Sequence, residues 1–217
     1  IPLMAWGIGP GDAVFTTPFT YVATAEVIAL LGATPVFVDV YDSTFNIDCE
    51  KLEIAIQETI KNGELKPKAI IPVDLFGVPA RYRLIDSIAK KYNLKVIEDG
   101  AQSFGASIGE KKVGTFGDIA ATSFYPAKPL GCYGDGGAIF TNNDSLAGQC
   151  KAIRIHGTSS DRYNSEVIGL NGRLDSMQAA VLIEKLTIFD EELEMRNKVN
   201  DYYRKFLNNA QYIPENY

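Results

Sequence analysis

Three stretches decide the fold: Ala69-Ile70-Ile71-Pro72-Val73, residues 83–92, and Lys95-Val96-Ile97-Glu98-Asp99. The first and last are short apolar runs of strand length, and the last ends in two carboxylates. Between them lies a segment with helical periodicity. Strand, crossover helix and strand form a βαβ unit, which joins parallel neighbours of one sheet. The alternation continues in both directions. Upstream, Ala13-Val14-Phe15-Thr16-Thr17 reads as a strand, 24–31 as a helix, and 33–39 as a strand whose apolar interior suggests burial on both faces. Leu52, Ile56 and Ile60 give 49–62 helical spacing. Downstream, Ala120-Ala121-Thr122-Ser123-Phe124 and Gly137-Ala138-Ile139-Phe140-Thr141 are strands, while 146–154 and 175–186 are helices. The expected architecture is α/β: a three-layer α/β/α arrangement around a mostly parallel sheet.

The two ends read differently from the middle. Ile1-Pro2-Leu3-Met4-Ala5-Trp6 looks like the tail of a helix stopped by the glycines and proline of Gly7-Ile8-Gly9-Pro10-Gly11, so sequence is expected upstream. Residues 191–207 form a charged helix. The expected organisation is a large domain over 1–188, incomplete at its start, and a segment 189–217 leading into a small C-terminal domain. No internal repeat or low-complexity stretch is visible.

The chain has 217 residues, 46% of them hydrophobic, and a net charge of −6. That hydrophobic content excludes disorder, and no apolar run approaches the roughly 20 residues of a membrane helix. The acidic balance gives no general attraction to nucleic acid or an anionic membrane, and neither partner is expected. Three cysteines without CxxC spacing and a single histidine point to neither a disulfide framework nor a metal site. With no signal peptide in view, a cytoplasmic location is expected.

In open α/β sheets ligands bind beyond the carboxyl ends of the strands. Four segments follow strands: Thr17-Pro18-Phe19-Thr20-Tyr21, Glu98-Asp99-Gly100-Ala101-Gln102, 123–128, and Gly131-Cys132-Tyr133-Gly134-Asp135-Gly136-Gly137. Asp99 suits a helix N-cap or a metal ligand. Lys128, between Ala127 and Pro129 and near glycines, sits where an ammonium can be desolvated into a nucleophilic amine, although a loop lysine is ordinarily a solvated charge. The glycine run is either a flexible turn or a place where backbone approaches a ligand. Neither GxGxxG nor GxxxxGK[ST] fits the chain, which argues against a dinucleotide or P-loop site.

Taken together, "EDGAQ" (98–102), "SFYPAK" (123–128), "LGCYGDGGA" (130–138) and "GLNGRLDSMQAA" (169–180) resemble the DegT/StrS group of sugar aminotransferases. "TTPFTYVATAEVI" (16–28) and "GATPVFVDV" (32–40) extend the resemblance over nearly the whole chain. It implies the aspartate-aminotransferase fold, the cofactor pyridoxal 5'-phosphate (PLP), and transfer of an amino group, with glutamate as donor, to a nucleotide-linked keto-sugar in amino-sugar or cell-surface polysaccharide biosynthesis. It further implies that Lys128 forms the internal Schiff base and shuttles the proton, and that Asp99 faces the ring nitrogen. Gln102 lies near the phenolic oxygen, Ser123 binds the phosphate and Tyr21 stacks on the ring. By the same resemblance Asn171 and Arg173 would reach into a neighbouring subunit, Asn171 for the cofactor phosphate and Arg173 for an anionic substrate group, the other reading of Arg173 being a solvated charge in a helix-start loop. The resemblance thus implies a homodimer with shared sites. His156 borders the sugar site or serves a structural hydrogen bond.

The sequence departs from the pattern at Pro129, where relatives commonly carry asparagine, and at Gly100 in place of alanine. The phosphate-binding turn expected upstream of the helix ending near Trp6 precedes Ile1. Two other readings share the resemblance. A PLP-dependent sugar dehydratase carries histidine in place of the lysine, so Lys128 opposes it. A PLP-binding regulator keeps the pocket without turnover.

Overall fold

The computed structural model describes residues 1–158 and 163–207. In chain order the elements are α1 (Pro2–Ala5), β1 (Asp12–Thr16), α2 (Ala23–Leu30), β2 (Thr34–Phe37), α3 (Cys49–Asn62), β3 (Lys66–Ile70), a 3-10 turn (Leu75–Gly77), α4 (Tyr82–Tyr92) and β4 (Lys95–Asp99). They continue with a small hairpin, β5 (Ser107–Ile108) and β6 (Lys111–Lys112), then β7 (Ile119–Ser123), β8 (Gly137–Phe140), α5 (Asp144–Arg154), α6 (Ser176–Leu186) and α7 (Phe189–Phe206). Among the described residues a six-stranded sheet runs β2-β1-β3-β4-β7-β8. Its pairs are parallel as far as β4–β7, and β8 closes the edge antiparallel to β7.

Strand alternation builds the two outer layers. Ala13, Phe15, Ile70 and Val96 point to one face, where Leu52 and Ile56 of α3 and Ile85 and Ile88 of α4 cover them. Val14, Ala69, Ile97 and Ile119 point to the other, against Leu3 of α1, Ile28 of α2 and Leu146 and Cys150 of α5. This is the expected three-layer α/β/α arrangement. Each fully buried aliphatic or aromatic side chain contributes about 1.5–3 kcal/mol. Local signals agree with it: the Asp48 side chain caps α3 by accepting from the N–H groups of Glu50 and Lys51, and Gly63 ends that helix at φ +73°. A third apolar cluster joins Phe124, Leu130 and Cys132 to Leu182 of α6 and Phe189 of α7, so the two last helices pack beside the loop that carries Lys128.

Two strands differ from expectation. β2 is an edge strand, with Phe37 53% exposed; among the described residues its apolar run lacks a neighbour on one side. β3 begins at Lys66 rather than Ala69 because Asp12 and Ala13 of β1 pair with Lys66 and Pro67. Only that long-range pairing makes a polar stretch extended.

Candidate active site

β4 and β7 are neighbours, with Asp99 registered against Ala121, so Asp99 and Ser123 emerge from the same edge of the sheet two residues apart. Beyond that edge lies a cavity of about 1110 Å³. Its wall includes five sequence-predicted residues: Tyr21, Asp99, Gln102, Ser123 and Lys128. They come from three separate segments, and the sheet order brings them together.

Asp99 ends β4 without capping a helix. Its Oδ1 accepts from the N–H of Ala101 at 3.2 Å, an Asx turn, and its Oδ2 accepts from the Thr24 hydroxyl at 2.8 Å. Desolvation pushes this carboxyl above the usual range; the Thr24 hydroxyl, the Ala101 N–H and the charge of Lys128 pull it back. A carboxylate short of water is stabilised by a cation or a charged N–H placed against it. Glu98, one residue earlier, points the opposite way, as strand alternation requires. It is fully buried, and its carboxylate takes the N–H groups of Gly114 (2.6 Å) and Phe116 (2.8 Å). Of the two strand-end acids, only Asp99 belongs to the cavity.

Lys128 is half-buried in a turn closed by its own N–H to the Tyr125 carbonyl at 2.8 Å. The glycine run beside it proves to be a packing device. A side chain at Gly131 would stand 2.5 Å from the Pro126 carbonyl, and one at Gly137 would stand 2.7 Å from that of Thr122. The bare backbone lets residues 131–137 fold against the lysine turn, bound through Cys132 N–H to Phe124 O and Phe124 N–H to Gly136 O. Ser123 Oγ accepts from the Tyr125 N–H at 3.2 Å and keeps its own proton to donate. Tyr21 is 71% exposed at the rim. Gln102 Oε1 takes the N–H of Phe76 at 2.9 Å.

Asn171, Arg173 and His156 are absent from this cavity wall and exposed. Asn171 bridges Ile155, and His156, at φ +65°, donates its N–H to the Leu170 carbonyl. The loop after His156 includes Ser159 and Ser160, which lie outside the described residues. Thr24, Phe76 and Arg196 line the cavity unforeseen. Thr24 stands four residues after Thr20, whose hydroxyl it meets at 3.0 Å, so helical spacing inside a quoted motif was its available signal. Phe76 and Arg196 carried none. Among the described residues no group of His, Cys, Asp and Glu could hold a metal ion, and no helix is long and apolar enough to cross a membrane.

The chain is 53% identical over 200 residues to the UDP-2-acetamido-2-deoxy-3-oxo-D-glucuronate aminotransferase of Pseudomonas aeruginosa, covering 92% of this chain and 54% of that protein. It is 50% identical over 210 residues to the pleiotropic regulatory protein of Geobacillus stearothermophilus, covering 97% and 54%. It thus spans about half the length of the curated relatives it matches. The solved structure of a DegT DnrJ EryC1 StrS aminotransferase from Brucella abortus superposes with a TM-score of 0.96 at 53% identity, over 99% of this chain and 57% of that one. The model of one family matches residues 1–216. With the strand-end cavity and the ordered motifs on a single scaffold, the chain belongs to the DegT/DnrJ/EryC1/StrS aminotransferase family.

Proposed function

We propose that the protein of which this chain is part is a PLP-dependent aminotransferase acting on a nucleotide-linked keto-sugar, with glutamate as amino donor. One observation carries the reading: a desolvated carboxylate and a half-buried lysine share one cavity with an amide, a hydroxyl and an aromatic ring. The donor set fits the cofactor. Asp99 supplies a carboxylate that lacks water and is stabilised by a protonated ring nitrogen. The Ser123 hydroxyl has a proton for a phosphate oxygen, Gln102 an N–H for the phenolic oxygen, and Tyr21 a ring face.

When bound, PLP supplies an aldehyde that condenses with amines and a ring that draws electron density from the adjoining carbon. Lys128 Nζ would hold the cofactor covalently and would serve as the base that takes and returns the proton on the carbon bonded to nitrogen. Asp99 would hold a proton on the ring nitrogen, the arrangement that would let an amine base act on that carbon. The names of relatives favour a UDP- or dTDP-linked sugar, as used in amino-sugar or polysaccharide biosynthesis in the cytoplasm.

A homodimer completes the reading. Asn171 and Arg173 are exposed and absent from their own chain's cavity wall, as suits side chains that serve a partner's. Residues from 189 onward would open a second, smaller domain. Light scattering of a monomer that still turned over would remove the shared-site claim. For the reaction itself, the test is borohydride fixation of PLP followed by peptide mass analysis, together with conversion of bound PLP to the pyridoxamine form by glutamate. Attachment at Lys128, lost in Lys128→Ala along with turnover, is expected. Unchanged turnover in that variant refutes the function. Attachment without conversion by any amino donor points to a silent regulator instead.

A further inference from the structure

The carboxamide of Gln102 is held so that only one end can face the cavity. The Phe76 N–H at its Oε1 can only donate, so the atom bound there is the oxygen, and Nε2 is left with two protons. Among the described residues no protein acceptor takes those protons, and Gln102 lines the cavity. The N–H comes from a residue under strain: Phe76 has φ 57° and ψ 19°, a left-handed conformation rare for a bulky side chain.

Such strain persists when the surroundings over-determine it, and here they do. Asn46 is 1% exposed; its Oδ1 accepts from Leu75 N–H at 3.3 Å, and its Nδ2 donates to the carbonyls of Val78 (3.0 Å) and Pro79 (3.1 Å). Asp74, immediately before the turn, accepts from the hydroxyl of Ser103, the residue after Gln102, at 3.0 Å. The Phe76 ring meets Phe19 and Phe45 edge-on, each at 6.2 Å between centroids. The turn and the segment carrying Gln102 are therefore pinned on both sides of the Phe76–Gln102 hydrogen bond.

We infer that the Leu75–Gly77 turn is a positioning element for Gln102: the Phe76 N–H captures the amide oxygen, turns the Nε2 protons into the cavity, and makes the site select a ligand with an acceptor or anionic oxygen at that point. On the function proposed above, that oxygen is the phenolic oxygen of the cofactor ring, and its donor tunes the cofactor's absorption.

The test compares the complete protein with Gln102→Ala, Asn46→Ala, Phe76→Gly and the Asn46→Ala/Gln102→Ala double variant. Each is loaded with PLP, and the ratio of the two long-wavelength absorption bands is read at one pH. Gln102→Ala should move the ratio about tenfold, the effect of one hydrogen bond to a charged acceptor. Asn46→Ala should move it in the same direction, and the double variant should match Gln102→Ala alone. Phe76→Gly keeps the N–H and adopts positive φ freely but loses the ring that packs on Phe19 and Phe45, so its ratio should move in the same direction by less than that of Gln102→Ala. Independent, multiplying effects of Asn46→Ala and Gln102→Ala overturn the inference, as does a Phe76→Gly shift as large as that of Gln102→Ala. If Asn46→Ala does not fold, Ser103→Ala takes its place in the same cycle. A parent protein without any PLP band refutes the proposed function and this inference with it; a parent band with multiplying effects refutes the inference alone.

Discussion

Replacing Asp74 by asparagine should flatten the pH dependence of stability. Asp74 has no exposed surface. Its Oδ1 accepts from the Ala80 N–H and the Tyr82 hydroxyl, both at 2.8 Å, and its Oδ2 from the Ser103 hydroxyl. Burial raises this carboxyl from 3.8 to about 7; the Ala80 N–H and the two hydroxyls oppose that rise, and the charge of Glu98 adds to it. Between those values the folded protein holds a proton that the unfolded chain has released, so stability falls as pH rises. At about 1.4 kcal/mol per pH unit, wild type loses about 2.5 kcal/mol through this group between pH 5 and pH 8. Above pH 7 nearly the whole penalty is present; below about pH 4 none of it is.

Asparagine keeps the shape. Its oxygen accepts from Ala80 and Tyr82, and its amide donates to a Ser103 hydroxyl that turns round. Urea denaturation followed by circular dichroism, in steps of pH, gives the difference between wild type and Asp74→Asn, in which the contributions of groups not coupled to Asp74 cancel. The difference should move toward the variant by about 2.5 kcal/mol over that range. A flat difference, or one moving toward wild type as pH rises, refutes the assignment of a buried, protonatable Asp74.

Asp99→Asn removes the charge that, on the proposed function, would face the ring nitrogen; it should lower kcat by about a hundredfold or more, with PLP still attached to Lys128 by mass analysis. Gly131→Ala drives a methyl to within 2.5 Å of the Pro126 carbonyl; displacement of the lysine turn should reduce covalent PLP attachment, while the fold loses about 1–3 kcal/mol by denaturation. Phe15→Ala, in the fully buried centre of one core face, should cost about 3–5 kcal/mol in the same assay. Thr24→Val deletes the hydroxyl bound to Asp99 Oδ2 and should lower kcat/KM by about tenfold, with little change in thermal midpoint.

Helices were the most legible elements because their signals are local. Residues 49–62 carry a cap, a periodic face and a terminal glycine, and the helix occupies those residues. Strand edges depend on distant partners, which is why β2 reads as buried on both faces and β3 reads three residues later in the sequence than it lies. Buried polar groups were the least legible. Nothing in Asp74-Leu75-Phe76-Gly77 distinguishes a surface turn from one whose carboxylate is sealed by three donors, because those donors come from positions 80, 82 and 103.

The candidate site was legible for a topological reason. Asp99 and Lys128 are 29 positions apart, a spacing that implies nothing by itself. It becomes informative once β7 lies against β4, since the lysine turn then begins where the next strand ends, on the side of the sheet edge already occupied by Asp99. The same logic explains what stayed hidden. Glu98 and Asp99 are adjacent acids of equal promise in sequence, yet pleating sends one to two backbone N–H groups in the core and the other to the cavity. Asn171 and Arg173 are exposed and absent from this chain's own cavity wall although Leu170 beside them lines it, and their segment pairs with the end of α5 through Leu170 and Gly172. On the proposed homodimer their chemistry would serve a second chain's cavity, which the fold of one chain does not display.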